Sequence, residues 1–457
     1  MISKKNIDRV FLIFLFSHLI IWTLAPSLSN TNLPLDTIEA LAWGSNLDWG
    51  FNKHPPLSAL VLEIFYYIFG KQDWAYYLLS QIFITSSFYV IFKFSKEFFE
   101  NKSFALISVF LLEGIFFYNF TSPEFNVNVC QIPFWTLSVY FTWRCYKSNK
   151  IIDFVFLGIF IGLGILSKYL FVYLVIGIKL FFIYLISKKK KIRIINYFIA
   201  GPLAILILLP HLIWLSENNF TTIIYGLQRT GGPGDFSDHL IYPIIFLGKQ
   251  LGLLFPFFLM SIFLFKNFKF KINLKDEKLI FLLFTIIVPI VFMFLTSIVI
   301  GAKIRTMWMT PFYLFSGFFL IYIFQKNILI KNLKKFFIVF SFLFLLSPVI
   351  YILVSIFDDT KRTDYPGKEI AYLVKKKWDK NFRNEIKIVV GDEWYAGNLS
   401  YHLSSRPKWM QTLEDKTSTL ESNEGVIYTG NPKILKKICP GVFGTIKPVG
   451  YCMIGQK

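Results

Sequence analysis

The residues of this chain that are best suited to chemistry lie in a polar loop after its first hydrophobic segment. Asp36 and Glu39 begin this loop, and Lys53 and His54 lie near its end, before two prolines. Carboxylates and basic groups of this kind can transfer protons and bind anions. Charge is costly between membrane-embedded segments and is usually retained there for function. We therefore take the loop as the candidate catalytic region.

Composition indicates which elements must position this loop. The 457-residue chain is 55% hydrophobic with 54 phenylalanines, and its mean hydropathy is +0.54. An ordinary soluble domain has too little polar surface for such a composition. We expect an α-helical polytopic membrane protein with about 11 spans, within a range of roughly 10 to 13. The apolar segments are 10–25, 74–92, 103–120, 124–143, 152–167, 169–187, 194–215, 240–265, 279–298, 307–325 and 336–356.

The net charge of +20 is explained by topology. Lysines and arginines concentrate in alternate loops between the spans, with 23 in the loops on one side of the membrane and six in the short loops on the other. The positive-inside rule places the N-terminus and the 23 basic residues in the cytoplasm. No nucleic-acid partner is therefore expected. The basic loops include Lys188 to Lys191, Arg193 and Lys271.

The chain is expected to have two domains, and an odd number of spans places the C-terminal one on the side away from the cytoplasm. We expect residues 1–357 to form the membrane domain, with a long periplasmic loop at 26–73. Residues 358–457 are more polar, with a helical pattern at 367–380 and β-rich runs at 386–390 and 426–428. This tail is expected to form a small periplasmic α/β domain.

The four cysteines divide in the same way. Cys130 and Cys145 lie in a predicted span, where buried free thiols are expected. Cys439 and Cys452 lie in the exported tail, where an oxidising compartment permits a disulfide. Their spacing alone does not decide whether the two side chains meet.

The predicted topology gathers further polar residues on the outer face. Pro123 and Glu124 lie between the third and fourth spans, and Lys168 lies between the fifth and sixth. Lys303 and Arg305 lie in a later turn on the same side. Acids and bases from distant segments should therefore converge on one membrane face.

The order of these motifs resembles that of bacterial GT-C membrane glycosyltransferases of the family 39/83 type, which include protein O-mannosyltransferases and the lipid A aminoarabinose transferase. The resemblance implies the GT-C fold, a periplasmic active site, a polyprenyl-phosphate sugar donor, and inverting transfer with an optional metal ion. It covers nearly the whole chain. The motifs that carry it are Asp36 to Glu39, Asp48 to Pro56, Pro123-Glu124, Gly164 to Lys168, Gly301 to Arg305, Pro366 to Glu369 and Gly391-Asp392.

Sugar transfer from a phosphate lipid gives these residues roles. Asp36 is the candidate base for the acceptor hydroxyl, and Glu124 is the second catalytic candidate, which could orient the acceptor or contact sugar hydroxyls. Glu39 is a candidate substrate-binding residue. The chain carries no dedicated metal motif, although oxygen ligands would suit an optional Mg or Mn ion. The phosphate, whose charge rises as the bond breaks, would be stabilised by Lys53, His54, Lys168, Lys303 and Arg305.

Structural interpretations of the same residues stay open. Asp36 and Glu39 have the spacing of a helix capping box, and Glu124 could be a first-turn acid. Lys168, Lys303 and Arg305 could anchor at lipid headgroups. Residues 229–235 are expected to form a flexible loop.

Three classes of function remain after these considerations. The favoured one is an inner-membrane glycosyltransferase, hexosyl or pentosyl, that acts on lipid A, lipopolysaccharide or another glycolipid. Transfer to Ser or Thr of a protein uses the same chemistry. A transporter or flippase is a distant alternative, because the charges lie in outer loops and no inverted repeat is evident.

Overall fold

A computed structural model describes residues 4–190, 196–231, 234–269, 272–358, 360–412 and 424–457 of the chain. Lys191, Arg193 and Lys271, which contribute to the predicted charge asymmetry, lie outside these residues. The described part of the chain is a mainly helical membrane domain followed by a small α/β domain, as the sequence predicts.

The helices of the membrane domain follow the apolar segments, because a chain that crosses a bilayer must satisfy its backbone hydrogen bonds internally. In chain order they are α1 Lys4–Ser29, α2 Leu35–Ser45, α3 Leu57–Phe69, α4 Asp73–Ser95, α5 Ser103–Phe110, α6 Val127–Cys130, α7 Ile132–Ser148, α8 Ile151–Ser167, α9 Val172–Ser187, α10 Tyr197–Glu217, α11 Thr221–Arg229, α12 Asp238–Leu253, α13 Phe255–Ile262, α14 Glu277–Leu282, α15 Val288–Ile300, α16 Ser316–Phe324 and α17 Leu333–Phe357.

The helices that can cross a membrane are identified by their length and composition. Their number indicates a multi-pass membrane protein. Within the described ranges, six helices qualify, and α12 with α13 forms a seventh candidate that is bent by 51°. The predicted number of about 11 spans stays a prediction, since several segments are shorter or broken. The six are Asn6–Ser29, Asp73–Ser95, Tyr169–Ser187, Phe198–Glu217, Glu277–Ile300 and Leu333–Phe357.

The segment predicted at 103–120 shows why a span can be interrupted. After α5 the chain forms two tight turns, Leu111–Gly114 and Phe116–Tyr118. A Cβ atom at Gly114 would lie 2.6 Å from the Cα of Phe257, so glycine lets α13 pack against the break. The buried Glu113 in this turn bonds to His18 of α1, with 2.5 Å between Oε1 and Nδ1. The tight turn therefore contains a buried carboxyl group whose hydrogen-bond partner is supplied by α1.

The tail forms the α/β domain that its sequence pattern predicts. Its helices are α18 Gly367–Asn381, α19 Tyr395–His402 and α20 Pro432–Ile438, and its strands are β1 Ile386–Val390, β2 Lys408–Met410, β3 Gly425–Gly430, β4 Val442–Ile446 and β5 Val449–Ile454. The sheet order is β2-β1-β3-β5-β4. β1 pairs in parallel with β2 and β3, and β5 pairs antiparallel with β3 and β4.

The cysteines behave as their positions suggest. Cys130 and Cys145 are buried and free, as expected. Cys439 and Cys452 form a disulfide, with Cα atoms 5.5 Å apart, which joins the end of α20 to β5. The spacing of Cys439 and Cys452 did not decide whether they pair, and the fold does so by bringing the two side chains together.

The α/β domain is docked on the first loop of the membrane domain. The amides of Thr31 and Asn32 both donate to the carbonyl of Thr363, at 3.0 and 2.9 Å. The Arg406 guanidinium donates to the Leu41 carbonyl at 2.7 Å and to the Glu63 carboxylate at 2.8 Å. The loop that carries the candidate catalytic residues is thus held from two sides.

Close packing of α19 on α2 depends on one glycine. A Cβ atom at Gly397 would lie 3.0 Å from the Ala42 Cβ and 3.2 Å from the Ile38 Cγ2. We expect Gly397→Leu to destabilise the folded state by about 1–3 kcal/mol, because α19 must move away from α2. Thermal unfolding of the protein in detergent and trypsin cleavage of the α/β domain measure the effect.

The control for this variant is Gly226→Leu. Gly226 lies in α11 and has open space where its Cβ would be, so its replacement should leave domain docking unchanged. An unfolding midpoint and a cleavage rate of Gly397→Leu equal to those of the wild type would contradict the packing argument.

Candidate functional site

Asp36 lies in the first turn of α2, where the backbone brings it to Glu124. Its amide donates to the Glu124 Oε1 at 3.1 Å. The residue before the helix is Pro34, and no side chain caps the helix start, so the capping-box interpretation of Asp36 and Glu39 is wrong. Both carboxyl groups are therefore free of the structural role that their spacing suggested.

Buried polar contacts hold the turn that carries Glu124. Ser122 donates from its hydroxyl to the Asn119 carbonyl at 2.7 Å and accepts from the Gln81 amide at 3.0 Å. Thr37 of α2 donates to the Phe125 carbonyl at 3.0 Å. Because contacts on both sides of Glu124 fix the backbone, its carboxylate stays beside the start of α2.

Lys168 is a buried lysine that follows the last residue of α8. A Cβ atom at Gly164 would lie 2.3 Å from the Phe171 ring, so the glycine allows the chain to turn tightly here. The Lys168 ammonium donates to the Asn128 side chain and lies 5.2 Å from the centre of the Trp308 ring. With 6% of its surface exposed, Lys168 does not extend towards lipid headgroups, and the anchor interpretation is wrong for it.

The electrostatics of Asp36 and Glu124 are governed by burial. Burial raises the pKa of Asp36, while Lys168 and three more distant cations oppose the rise. Burial and the nearby Asp36 charge raise the pKa of Glu124 to about 8. Burial lowers the pKa of Lys168 to about 7, against the effect of Asp36. The two carboxyl groups therefore titrate as a coupled pair, and a carboxylate with a raised pKa can accept a proton from a substrate.

Lys53 links the first loop to the α/β domain. Its ammonium lies 3.0 Å from the Glu39 Oε1 and 3.2 Å from the Glu393 Oε1. Burial favours a lower pKa for Lys53, but the two carboxylates outweigh it and raise the pKa. Burial raises the pKa of Glu39 to about 6, although Lys53 opposes the rise. Lys53 and Glu39 thus pair with each other beside Asp36.

His54 is held in its neutral form by burial and by nearby cations. Burial, followed by the charges of Lys168 and Lys53, lowers its pKa to about 3. Its backbone carbonyl accepts from the Phe51 amide at 3.1 Å and closes the turn. A neutral imidazole can contact a substrate by hydrogen bonding, but it brings no charge to a phosphate.

The middle of the same loop is fixed by α10 and α11. His211 bonds through Nδ1 to the Trp49 carbonyl at 2.6 Å, and Thr222 donates to the Phe51 carbonyl at 2.5 Å. A Cβ atom at Gly50 would lie 2.3 Å from the Trp214 ring, so the loop passes directly over that side chain. Loop residues 48–54 therefore have one defined conformation.

Two arginines that the sequence argument did not select also act on Asp36. The charges of Arg362 and Arg229 lower its pKa, after those of Lys168 and Lys53. Arg362 lines a cavity of about 400 Å³ together with Glu124, Leu35 and Tyr351. Arg229 is the last residue of α11, so this position is helical where the sequence indicated a flexible loop. Residues 232–233 of that predicted loop lie outside the described part.

Lys303 and Arg305 lie further from the carboxyl pair. Both are exposed, and the Lys303 amide donates to the Thr230 carbonyl at 2.9 Å, next to Arg229. The Lys303 ammonium lies 5.9 Å from the centre of the Tyr242 ring. Neither residue is among the cations that shift the pKa of Asp36. Their role in binding a substrate stays a prediction.

The described residues contain no group of three His, Cys, Asp or Glu side chains arranged to hold a metal ion. Asp36 and Glu124 are two oxygen-bearing groups, which could complete a site only with substrate or water as further ligands. The optional Mg or Mn ion stays a prediction.

Part of the chain matches a known protein family. Residues 53–214 match the family described as dolichyl-phosphate-mannose-protein mannosyltransferase. This stretch contains Lys53, His54, Glu124 and Lys168. No curated protein sequence matches the chain at a significant level.

Solved structures match the chain over nearly its whole length. ArnT from Cupriavidus metallidurans bound to undecaprenyl phosphate has a TM-score of 0.63 at 11% identity, covering 98% of each chain. The apo form of the same protein has a TM-score of 0.64 at 10% identity, covering 97% of this chain and 98% of the other. The archaeal oligosaccharyltransferase AglB from Archaeoglobus fulgidus has a TM-score of 0.44 at 12% identity, and the match covers 87% of this chain and 64% of the AglB chain.

These matches confirm the fold that the motifs predicted. The chain has the GT-C fold of ArnT, and it is similar to protein O-mannosyltransferases and to the lipid A aminoarabinose transferase.

The coupled carboxyl groups of Asp36 and Glu124 predict a pH dependence. A base must lose its proton to act, so turnover should rise with pH as the pair ionises, in a range that extends to about 8. Glu124→Gln removes the carboxyl group whose pKa is raised to about 8, so that ionisation of Asp36 alone sets the acid limb. We expect the acid limb of the pH–activity profile to move to lower pH by about one unit.

The matched control is Glu369→Gln, at an exposed position of α18. Its acid limb should coincide with that of the wild type. An unchanged limb in Glu124→Gln would contradict the coupling between the two carboxyl groups.

Proposed function

We propose that this GT-C membrane glycosyltransferase moves a sugar from a polyprenyl-phosphate donor to a glycolipid acceptor of the cell envelope, such as lipid A or lipopolysaccharide. Transfer would occur on the periplasmic face of the bacterial inner membrane, with the N-terminus in the cytoplasm. The sugar is a hexose or a pentose. The observation that carries the proposal is the desolvated Asp36–Glu124 pair, surrounded by cations from four separate segments.

Asp36 is the proposed base. Its carboxylate takes the proton of the acceptor hydroxyl as that oxygen bonds to the anomeric carbon of the sugar. The bond from the anomeric carbon to the phosphate oxygen breaks, and polyprenyl phosphate leaves with the electron pair. Burial raises the basicity of Asp36, and Glu124 positions α2 through the 3.1 Å hydrogen bond from the Asp36 amide.

Cations near the pair would stabilise the leaving phosphate. Lys168 is buried, so it can meet charge in a region of low dielectric, and Arg362 lines the cavity that contains Glu124. Lys53 is already paired with Glu39 and Glu393, and this supports a positioning role for it. His54 is neutral and is better suited to a hydrogen bond with the sugar.

A protein acceptor is the second candidate. The match of residues 53–214 to the protein mannosyltransferase family favours transfer to Ser or Thr. The base, the donor and the leaving group are the same in both reactions. Assays with both classes of acceptor, each with Mg, Mn or a chelator, would separate the two functions and test the need for a metal.

The role of Asp36 is tested with purified protein in detergent and a panel of polyprenyl-phosphate sugars. We expect Asp36→Asn to lower turnover by about 10²–10⁴-fold, because the amide keeps the backbone contact with Glu124 but cannot accept the proton. Asp48→Asn is the control, since Asp48 is exposed in the same loop. Undiminished transfer by Asp36→Asn would refute the assigned base. Absence of transfer from every lipid-linked sugar would refute the proposed function.

Lys168 gives a second test. We expect Lys168→Met to lower turnover by about 10²–10³-fold, because the developing phosphate charge loses a buried partner. Lys376→Met, at an exposed position of α18, should behave as the wild type. Turnover of Lys168→Met within about threefold of the wild type would exclude a role for Lys168 at the leaving group.

A further inference from the structure

A second cavity lies where the last span meets the α/β domain. It has a volume of about 470 Å³, and the residues that line it are Thr360, Lys361, Arg362, Asp364, Tyr365, Asp392, Trp394 and Tyr395. This volume falls in the usual range of about 300–1,000 Å³ for small-molecule sites. The roles assigned to Asp36, Glu124 and the surrounding cations do not use it, except for its edge at Lys361 and Arg362.

Three half-buried aromatic rings form one side of this cavity. The Tyr365 ring lies 5.3 Å from the Trp394 ring and 6.0 Å from the Tyr395 ring, measured between centres. Arg362 lies over the Trp394 ring, at 5.7 Å from its centre. Aromatic faces carry partial negative charge and attract the C–H groups that cover one face of a sugar ring. Such a wall suits a carbohydrate better than an extended polar chain.

The charges around the cavity balance. Lys361 and Arg362 are cationic, and Asp364 and Asp392 are anionic, so a neutral ligand fits better than an ion. The Asp392 Oδ1 accepts from the amides of Trp394 and Tyr395, both at 2.9 Å. The Asp364 Oδ2 has no hydrogen-bond partner among the described residues and lies 3.6 Å from the Lys361 ammonium. Donors and acceptors of both kinds match the hydroxyl groups of a sugar.

The cavity adjoins the one that contains Glu124. Lys361 and Arg362 line both this cavity and the one that contains Glu124. The Lys361 ammonium is held by the Ser355 carbonyl at 2.6 Å, at the end of α17. A ligand bound against the aromatic wall therefore lies next to the cavity that contains Glu124.

We infer that this cavity, with Tyr365, Trp394 and Tyr395 as its platform, binds the glycan part of the acceptor and so selects a glycolipid over a peptide. The inference rests on the proposed sugar transfer. The domain that carries Trp394 is docked on α2, so the platform has a fixed position relative to Asp36. The α/β domain is thereby a specificity element of the enzyme.

The test compares two acceptors and a reaction without acceptor, all with full-length protein in detergent. The acceptors are a glycolipid with a disaccharide headgroup and a Ser/Thr-containing peptide. We expect Trp394→Ala to raise the KM for the glycolipid about tenfold, which corresponds to the upper end of the range of free energies for an aromatic contact. Trp394→Phe keeps an aromatic face and should stay within about threefold of the wild type. Release of polyprenyl phosphate to water should be unchanged in both variants, because the inference assigns Trp394 to the acceptor and not to the donor.

Tyr372→Ala is the matched control, since Tyr372 is an exposed aromatic residue of the same domain outside the cavity. A KM for the glycolipid that is unchanged in Trp394→Ala would overturn the inference, as would a rise confined to the peptide. Equal loss of donor hydrolysis and transfer in Trp394→Ala would also overturn it, because the residue would then support the fold or the donor site. A wild type that releases no polyprenyl phosphate from any donor would instead refute the proposed function.

Discussion

Two carboxyl groups removed from water at the edge of a membrane domain impose the constraint on which the rest of the site depends. Asp36 and Glu124 are close enough to repel each other, and burial makes each charge more costly. Neighbouring cations reduce that cost, and in this fold they come from segments far apart in the chain. The loops between the spans are therefore built to bring charge to one place, and their conformations are fixed by buried polar contacts.

The fixed position of α2 is the second consequence of this constraint. The helix is short, and its N-terminal side contacts the Glu124 turn through Asp36 and Thr37. Its other side packs on α19 of the α/β domain, close to Gly397. Lys53 adds an ionic link between Glu39 and Glu393, so both domains define where the candidate base lies. A small displacement of the α/β domain would move Asp36 relative to the cavity.

Similarity to known structures establishes the fold of this protein but not its function. The ArnT structures match almost every residue in space at 10–11% identity, which establishes the fold. Function depends on site residues grafted on that fold. The proposed roles of the basic residues follow from their exposure and pairing. Lys168 is buried, Lys53 is paired with Glu39, and Lys303 and Arg305 are exposed.

The sequence alone determined the membrane class, one helix and two strands of the tail, and the identity of Asp36, Glu124 and Lys168 as candidates, because hydropathy and residue type are local properties of a chain. The boundaries of β1 and α18 agree with their predicted patterns within a residue or two. Only the tertiary structure decided the pairing of Cys439 with Cys452, the helical state of Arg229, and the approach of Arg362 to the carboxyl pair. Electrostatic and covalent partners are set by distance in space, and residues far apart in sequence carry no local signal of that distance.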